Sequence, residues 1–447
     1  MFNILGRKLK VPFLQGETAT VVESTAPDVP PQAETTPEPV DVIDPAHPHL
    51  DLIVVPRSAM DALESDPDKI VQSVINYTNF LLSRGHYKRN EIPHEAIEAY
   101  HCDYYLAQVL NGGHAQFVGN SGKNRVHTVA DTLKALDAME ADDYLDLADR
   151  MADWVKDNAD LADSQTGFEG GIADALSDLD NPFFELNEAT PLRPMLAQWI
   201  AGLDIVQVVD DQDMPRVLEG IARLNGLREQ RNRTARIVGI EDKIANTLNL
   251  GIGLAASNAP TVEAVIAIGN GSYQDVGEFK KLLFVVQTSG GPRWAEMGPE
   301  GATLYERVVH DNSHLPNNPM EASLDDIKSW KAPEVGEVIS RASMSQIEGV
   351  KNACAELNVG ATLDLLLSKY GAIKSLDAIS VRSAGPDTSG AMGATLLLVA
   401  NQGTLALSAV ITGSTSRLLA EPSHEEVATV AAEEAATYRE DNLPDAA

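Results

Sequence analysis

The 447-residue sequence has very little cysteine and no long apolar run. Its only cysteines, Cys102 and Cys354, are too few for a four-cysteine metal site and stand too far apart in sequence to suggest a disulfide framework. We therefore expect a reducing, cytoplasmic location. No apolar run of about 18 residues occurs, so we expect no membrane span. The segment from Met1 to Leu14 also lacks the continuous apolar core of a signal peptide.

Enzyme motifs are scarce as well. The sequence contains no Walker loop, no Gly-x-Ser-x-Gly elbow and no His-Glu-x-x-His helix. Gly269-Asn270-Gly271 lacks the third glycine of a dinucleotide-binding loop and favours a turn. His310 and His314 could share a helical face, but Pro316 favours a loop over a metal site. We predict no metal, no cofactor and no catalytic residue.

The sequence has an excess of acidic residues. It carries 66 Asp and Glu against 34 Lys and Arg, a formal net charge of -32. Such a charge repels nucleic acid and anionic membranes and attracts basic surfaces through a long-range field. The composition therefore argues against direct nucleic acid binding and favours a basic partner. Solubility alone is the simpler interpretation of the same charge.

Composition and periodicity predict a multidomain chain. Residues 1–48 are rich in Pro, Thr, Glu and Val, too poor in core-forming residues to fold, and are predicted to be a disordered arm and linker. Apolar residues at three-and-four spacing predict an all-α domain at 50–203 and a helical bridge at 204–255. At 256–440, strand-like runs alternate with helical ones, which predicts an α+β domain with a mainly antiparallel sheet. An acidic tail follows at 441–447.

Within the predicted α+β domain, five runs have strand character. They are residues 262–268, 282–288, 378–382, 394–400 and 404–412. Asn401-Gln402-Gly403 joins the last two as an antiparallel hairpin, and residues 345–357 and 362–370 have helical patterns. The run Ser423-His424-Glu425-Glu426 has the pattern of a capping box, which predicts that the last helix begins there.

The predicted bridge carries a cluster of arginines in an otherwise acidic chain. Its members are Arg216, Arg223, Arg228, Arg231, Arg233 and Arg236. The simpler interpretation is that they neutralise carboxylates of the same chain, and the alternative is an anion-binding site. The sequence leaves both open.

The most acidic stretch runs from Asp131 to Thr190, where seventeen acidic residues face three basic ones, a local charge of -14. Six aspartates recur there at steps of four, three, four, four and three, which places them on one face of a predicted helix. This aspartate ridge consists of Asp142, Asp146, Asp149, Asp153, Asp157 and Asp160. Apolar residues such as Leu147 and Met151 fall on the opposite face.

The aspartate ridge costs the helix stability. Like charges at these spacings repel by roughly 0.2–0.5 kcal/mol per pair, and Asp is a poorer helix former than Glu. Carboxylates about 5.4 Å apart approach the ~3.4 Å charge spacing of one DNA strand. We therefore predict a non-catalytic binding protein whose ridge occupies the DNA-binding surface of a basic regulator or nucleoid protein. The simpler alternative for the ridge is a solvent-exposed helix face without a partner. The alternative function is that the α+β domain is an enzyme or a small-ligand-binding unit, with the helical domain as an adaptor.

A second motif precedes the ridge. It consists of Tyr104, Tyr105, Asn111, Gly112, Gly113, Gln116, Phe117 and Asn120. With these residues the sequence from about 90 to 200 resembles the C-terminal domain family of bacterial double-stranded-DNA-mimic proteins. The resemblance implies an all-helical, acidic, non-enzymatic domain whose partner is a DNA-binding protein, and it leaves a homodimer open.

The motif residues themselves are expected to be structural. Gly112 and Gly113 can adopt left-handed conformations that end one helix and lead into the next, with Asn111 suited to the cap. Gln116 and Asn120 lie one helical turn apart and can stabilise that turn.

Overall fold

The computed structural model describes residues 48–168, 170–312, 323, 328–386 and 389–443. The predicted arm, most of the acidic tail, and His314 with Pro316 therefore lie outside the described residues. Helices fill the N-terminal part of the described chain, and two antiparallel sheets with further helices follow. This order confirms the predicted fold class. None of the helices in the described ranges combines the length and the apolar character needed to cross a lipid bilayer.

The helical region contains ten α-helices among the described residues. They are α1 (Arg57–Asp61), α2 (Asp68–Ser83), α3 (His94–Asn120), α4 (Arg125–Ala138), α5 (Asp142–Asp157), α6 (Ala159–Ala162), α7 (Asp174–Ser177), α8 (Asp180–Ala189), α9 (Leu192–Gly202) and α10 (Met214–Leu224). One feature was absent from the prediction. Strand β1 (Ile53–Pro56), before α1, pairs in parallel with β2 (Val206–Val209), which follows α9.

Helix α11 (Arg228–Ala245) contacts the regions before and after it. Arg231 forms a salt bridge with Glu91 of the helical region, with Nη2 to Oε1 at 2.7 Å. Arg236 contacts both carboxylate oxygens of Asp364, at 2.8 and 3.1 Å, on the C-terminal side. All six arginines of the predicted cluster form salt bridges with carboxylates of this chain. This geometry supports internal neutralisation over an anion site.

Two five-stranded antiparallel sheets follow, and each strand pairs with its neighbour in sequence. The first consists of β3 (Val265–Val276), β4 (Phe279–Thr288), β5 (Gly291–Gly298), β6 (Gly301–Val308) and β7 (Glu334–Ser343). The second consists of β8 (Leu376–Pro386), β9 (Met392–Ala400), β10 (Leu405–Thr412), β11 (Thr415–Ala420) and β12 (Glu425–Ala431). Helix α12 (Thr247–Ser257) precedes the first sheet, α13 (Met344–Glu356) and α14 (Val359–Tyr370) lie between the sheets, and α15 (Ala432–Asn442) follows the second. The order of helix, meander and helix therefore occurs twice.

The two sheets and their helices share one hydrophobic core. Helix α12 is buried from Leu250 to Ala256, as expected for a helix that is apolar around its whole circumference. Gly251 allows a close approach, because a Cβ there would lie 2.9 Å from Ile347 Cδ1. The C-terminal region is therefore built around α12.

Two local predictions are wrong. The pattern at Ser423 does not start a helix, since Glu425 begins β12 and the last helix starts at Ala432. Pairing of β12 with β11 outweighs the local capping signal, and Ser423 Oγ instead accepts a hydrogen bond from the Glu425 N–H within the turn (3.4 Å). The run from Gly269 to Gly271 lies inside strand β3 beside a register shift, where a turn was predicted.

Candidate functional site

Five residues of the aspartate ridge lie on helix α5. This helix runs from Asp142 to Asp157, and all six ridge side chains are exposed. At 3.6 residues per turn, the five on α5 fall within an arc of about 80° around the helix axis. The structure therefore brings five of the six predicted residues together along one water-facing edge.

The opposite face of α5 is held in the helical core. Its buried residues are Tyr144, Leu147, Ala148 and Met151. The Tyr144 hydroxyl donates to Asn187 Oδ1 at 3.1 Å and to the carbonyl oxygen of Thr190 at 2.9 Å, at the end of α8. The Tyr144 and Phe183 rings pack edge to face with centroids 5.4 Å apart. Rotation of α5 would break these contacts, so the direction of its aspartates is fixed.

Asp160 is the exception. Helix α5 ends at Asp157, and Asn158 leaves helical conformation at φ -128° and ψ 41°. The backbone N–H and the side-chain Nδ2 of Asn158 both donate to the carbonyl oxygen of Trp154 at 2.9 Å. The chain then enters the separate short helix α6, which carries Asp160. The prediction of six aspartates on one continuous helical face is therefore wrong for Asp160.

Few cations neutralise the ridge. Among the described residues, one salt bridge reaches a ridge aspartate: it joins Arg150 to Asp146 at 3.7 Å, with both side chains more than half exposed. An exposed pair on a helix contributes only about 0.3–0.5 kcal/mol. The other five aspartates have no salt bridge within the described ranges. Asp142 lies in the first turn, where the helix dipole favours negative charge, but Asp153 and Asp157 lie near the disfavoured C-terminal end.

The segment that follows α5 also exposes carboxylates. They belong to Asp163, which pairs with Arg125 at 2.8 Å, and to Asp174, Asp178, Glu185 and Glu188. Helix α7 carries Asp174 and ends just before Asp178, and helix α8 carries Glu185 and Glu188. Both helices contact α5. The same segment exposes apolar side chains, with Leu161 at 55% and Phe168 at 78% exposure. The segment after α5 therefore exposes apolar side chains as well as carboxylates.

Helix α3 is broken inside the second motif of the sequence, which runs from Tyr104 to Asn120. Gly113 has φ +78° and ψ -179°, a conformation essentially restricted to glycine. Gly112 has φ -161° and ψ 26°, so the expected left-handed conformation is wrong for this residue. A Cβ on Gly113 would collide with the carboxylate of Asp180. Asn111 is exposed, and its side chain has no hydrogen bond among the described residues. The break therefore depends on Gly113 and its close contact.

Side chains of the motif hold the two halves of α3 together. Gln116 Nε2 and Asn120 Nδ2 both donate to Gln108 Oε1, at 2.9 and 2.7 Å. The Tyr104 and Phe117 rings have centroids 5.8 Å apart across the break. These contacts are internal, so they shape the region and leave partner contacts to other residues.

A buried hydrogen-bonded chain, which sequence reasoning missed, connects α3 to α8. His114 is fully buried, and its backbone N–H and Nδ1 each lie 2.8 Å from Asp180 Oδ1. An ionised carboxylate only accepts hydrogen bonds, so Nδ1–H donates to Asp180; in the neutral imidazole Nε2 is then the acceptor for the Tyr105 hydroxyl at 2.9 Å. Burial raises the pKa of Tyr105 well above its usual value, which keeps that hydroxyl protonated. These hydrogen bonds position α8, the helix that anchors Tyr144 of α5. No local signal marks a partner 66 residues away.

The described residues contain no group of three or more His, Cys, Asp or Glu side chains that could hold a metal ion. His310 Nε2 lies 2.9 Å from Glu334 Oε1, and its predicted companion His314 is outside the described ranges. Burial raises the pKa of the Cys354 thiol to about 11 and raises the pKa of the Cys102 thiol further. Neither thiol is therefore poised as a nucleophile.

Comparison with known proteins gives one finding for the helical region. Residues 90–202, about a quarter of the chain, match the model of the DMP19-like protein family. No curated protein and no solved structure matches the chain. The matched residues contain the broken helix α3, the buried hydrogen bonds of His114, and the aspartate ridge.

Proposed function

We propose that the helical region is a DNA mimic, a non-catalytic binding module that occupies the DNA-binding surface of a basic regulator or nucleoid protein. The observation that carries the proposal is the row of exposed aspartates on α5, held in one direction by the buried face of that helix. The match of residues 90–202 to the DMP19-like family agrees with the resemblance to DNA-mimic proteins.

The spacing of the row is what suits it to such a partner. From Asp142 to Asp157 there are 15 steps of about 1.5 Å, so the charges extend along ~22 Å. Their mean separation of about 5.6 Å approaches the ~3.4 Å charge spacing along one DNA strand. A groove lined with Lys and Arg can contact several of these carboxylates at once.

Unpaired carboxylates alone would not support the proposal. Acidic residues outnumber basic ones by 32 in this chain, so many carboxylates must lack an internal partner wherever they lie. The α5 row differs in its regular spacing, its single direction and its cost to helix stability. Asp149 and Asp153 stand four residues apart, a spacing at which like charges repel.

A competition experiment tests the proposal. A histone-like nucleoid protein and a helix-turn-helix regulator, each bound to a fluorescent DNA duplex, are titrated with the full chain. We expect DNA release, weaker at high salt because the attraction is electrostatic. Replacing Asp146, Asp149, Asp153 and Asp157 by Asn should raise the half-inhibitory concentration about tenfold or more, since each lost contact contributes roughly 0.3–1 kcal/mol.

A matched control removes the same charge elsewhere. Glu425, Glu426, Glu433 and Glu440 are exposed and have no salt bridge among the described residues, and changing them to Gln also removes four negative charges. This control should compete nearly as well as the unaltered chain. Equal loss in both variants would reduce the effect to net charge, and no loss in the α5 variant would remove the ridge from the function.

The remaining parts of the proposal concern organisation. We propose residues 50–203 as the binding domain, 204–255 as a bridge, and 256–440 as a separate α+β domain. A homodimer stays a prediction from the resemblance, and light scattering coupled to gel filtration measures it directly. A cytoplasmic location likewise stays a prediction.

A further inference from the structure

We propose that a cavity lined by helices α11, α13, α14 and α15 binds a small oxyanion, either a phosphate or a carboxylate group. The cavity has a volume of about 250 Å³, and its wall residues fall between positions 241 and 439, outside the segment that carries the ridge. Pockets for drug-sized ligands usually measure roughly 300–1,000 Å³, so a guest here must be small. The proposal does not depend on the DNA-mimic function.

An arginine in the cavity wall has no partner. Arg439 of α15 lines the cavity, and its Nε atom is fully buried without a hydrogen bond. The Arg439 guanidinium also forms no salt bridge with any described residue. Buried donors in folded proteins are normally paired, because an unpaired donor loses its contacts with water and gains nothing in return. An acceptor inside the cavity would supply what this donor lacks.

The charges of the wall favour an anion. Lys351 of α13 is the second cation of the wall, and it forms no salt bridge or hydrogen bond with any described residue. Among the described residues of the wall, Glu241 of α11 is the only carboxylate. The wall therefore carries two positive charges and one negative charge, in a chain whose net charge is -32.

Glu241 does not satisfy Arg439. No hydrogen bond or salt bridge joins the two side chains, and Glu241 packs against Gly360, where a Cβ would collide with it. Burial raises the pKa of Glu241, with Asp242 acting in the same direction, and the attraction of Arg439 does not offset this. A close ion pair would normally lower the pKa of the carboxyl group. Arg439 is therefore left available to a guest.

The start of α14 adds backbone donors. The first hydrogen bond of this helix runs from the Thr362 N–H to the carbonyl oxygen of Asn358, at 3.1 Å. The buried residues Val359, Gly360 and Ala361 have N–H groups without a hydrogen bond in the described part of the chain. The Asn358 side chain does not cap them. Free N–H groups and the helix dipole make such a helix end favourable to anions.

Two carbonyl acceptors at the end of α13 are already used. The carbonyl oxygens of Ala353 and Ala355 accept hydrogen bonds from the N–H groups of Leu357 and Asn358, both at 3.1 Å. Unpaired donors in and beside the wall therefore outnumber its one unpaired carboxylate. An oxyanion supplies several acceptors at once, and its hydrogen bonds to a cation are strengthened by charge.

The test is isothermal titration calorimetry of the full chain with inorganic phosphate and, separately, with sodium acetate. We expect at least one of these anions to bind. Arg439→Gln should weaken its binding about tenfold or more, the loss expected when a charged hydrogen-bond partner is removed. Arg417→Gln is the matched control, since Arg417 is exposed and forms no salt bridge among the described residues. This control should keep the affinity of the unaltered chain.

Glu241→Gln should have the opposite effect. Removing the negative charge of the wall should strengthen anion binding several-fold, because like charges repel. A purely structural role of Arg439 would not predict this gain. Lys351→Gln should weaken binding, and it provides the cation test if Arg439→Gln does not fold.

Three results would overturn the proposal: no binding of either anion, equal affinity in Arg439→Gln and the unaltered chain, or no gain in Glu241→Gln. Binding of phosphate alone supports a phosphate-bearing ligand, and binding of acetate alone supports a carboxylate. The α5 variant with four aspartates changed to Asn should bind the anion like the unaltered chain, so failure of one proposal is separable from failure of the other.

Discussion

Helices α5 and α11 carry opposite charge arrays in the same chain, and they use them differently. Every arginine of the cluster on α10 and α11 has a carboxylate partner, whereas five of six ridge aspartates have none among the described residues. Arg231 and Arg236 join distant segments of the fold. The anions of α5 contribute nothing comparable to folding.

This difference separates charge that builds structure from charge that is available to a partner. In a chain with a net charge of -32, the arginines of this cluster are paired internally, and surplus carboxylates remain. Most of that surplus needs no special explanation. A regular row on a fixed helix face does, because it lowers helix stability without forming internal contacts.

The largest stability effect is expected from Arg236→Met. Asp364 is nearly fully buried, with its side chain 3% exposed, and would keep only the hydrogen bond from the Tyr438 hydroxyl (2.7 Å). Leaving a buried carboxylate short of a partner should lower the free energy of unfolding by about 2–3 kcal/mol, measured by urea denaturation. Arg233→Met is the control on the same helix, since its pair with Glu229 is exposed and 3.8 Å apart. If both changes lowered stability by similar amounts, the structural role assigned to the Arg236–Asp364 contact would be wrong.

A smaller, pH-dependent effect is expected from Arg231→Met. Burial acts to raise the pKa of Glu91, but hydrogen bonds from Arg231 and from the Lys88 backbone outweigh it and lower the pKa below 4.5. A lowered carboxyl pKa gives stability that is present above the unfolded pKa and is lost as the pH falls through the folded one. The variant should be about 1–2 kcal/mol less stable at pH 7, and this gap should shrink between about pH 5 and pH 3.

The measurement is urea denaturation of both proteins across that pH range. A gap that stays constant down to pH 3 would mean that the Arg231 charge acts through groups other than Glu91.

The smallest effect, with the opposite sign, is expected on α5. Asp149→Asn with Asp153→Asn removes like-charge repulsion while helix propensity changes little, so stability should rise by roughly 0.2–0.5 kcal/mol. The gain should disappear in 1 M salt, where the screening length is about 3 Å. Lower stability of this double variant at low salt would show that the row supports folding.

Local patterns predicted the parts of this molecule that local forces decide. The apolar face of α5, with Leu147 and Met151, follows from spacing alone, and so do the paired strands β9 and β10 around Asn401. The break at Asn158 was missed because asparagine is only a modest helix breaker, and its effect here comes from a specific hydrogen bond to Trp154.

Features that depend on distant partners could not be predicted. The hydrogen bond between His114 and Asp180 joins residues 66 positions apart. Strand β12 overrides the capping pattern at Ser423 because β11 provides a neighbour for it.

The most direct measurement is the salt dependence of competition for a DNA-binding protein across a stepwise series. Asp149, Asp153, Asp146 and Asp157 are changed to Asn one after another, and the inhibition constant is measured from about 50 to 300 mM salt. We expect the slope of log affinity against log salt to become shallower at each step, while the Glu425, Glu426, Glu433 and Glu440 control keeps the original slope. Parallel slopes throughout the series would contradict a direct role of the α5 row in binding.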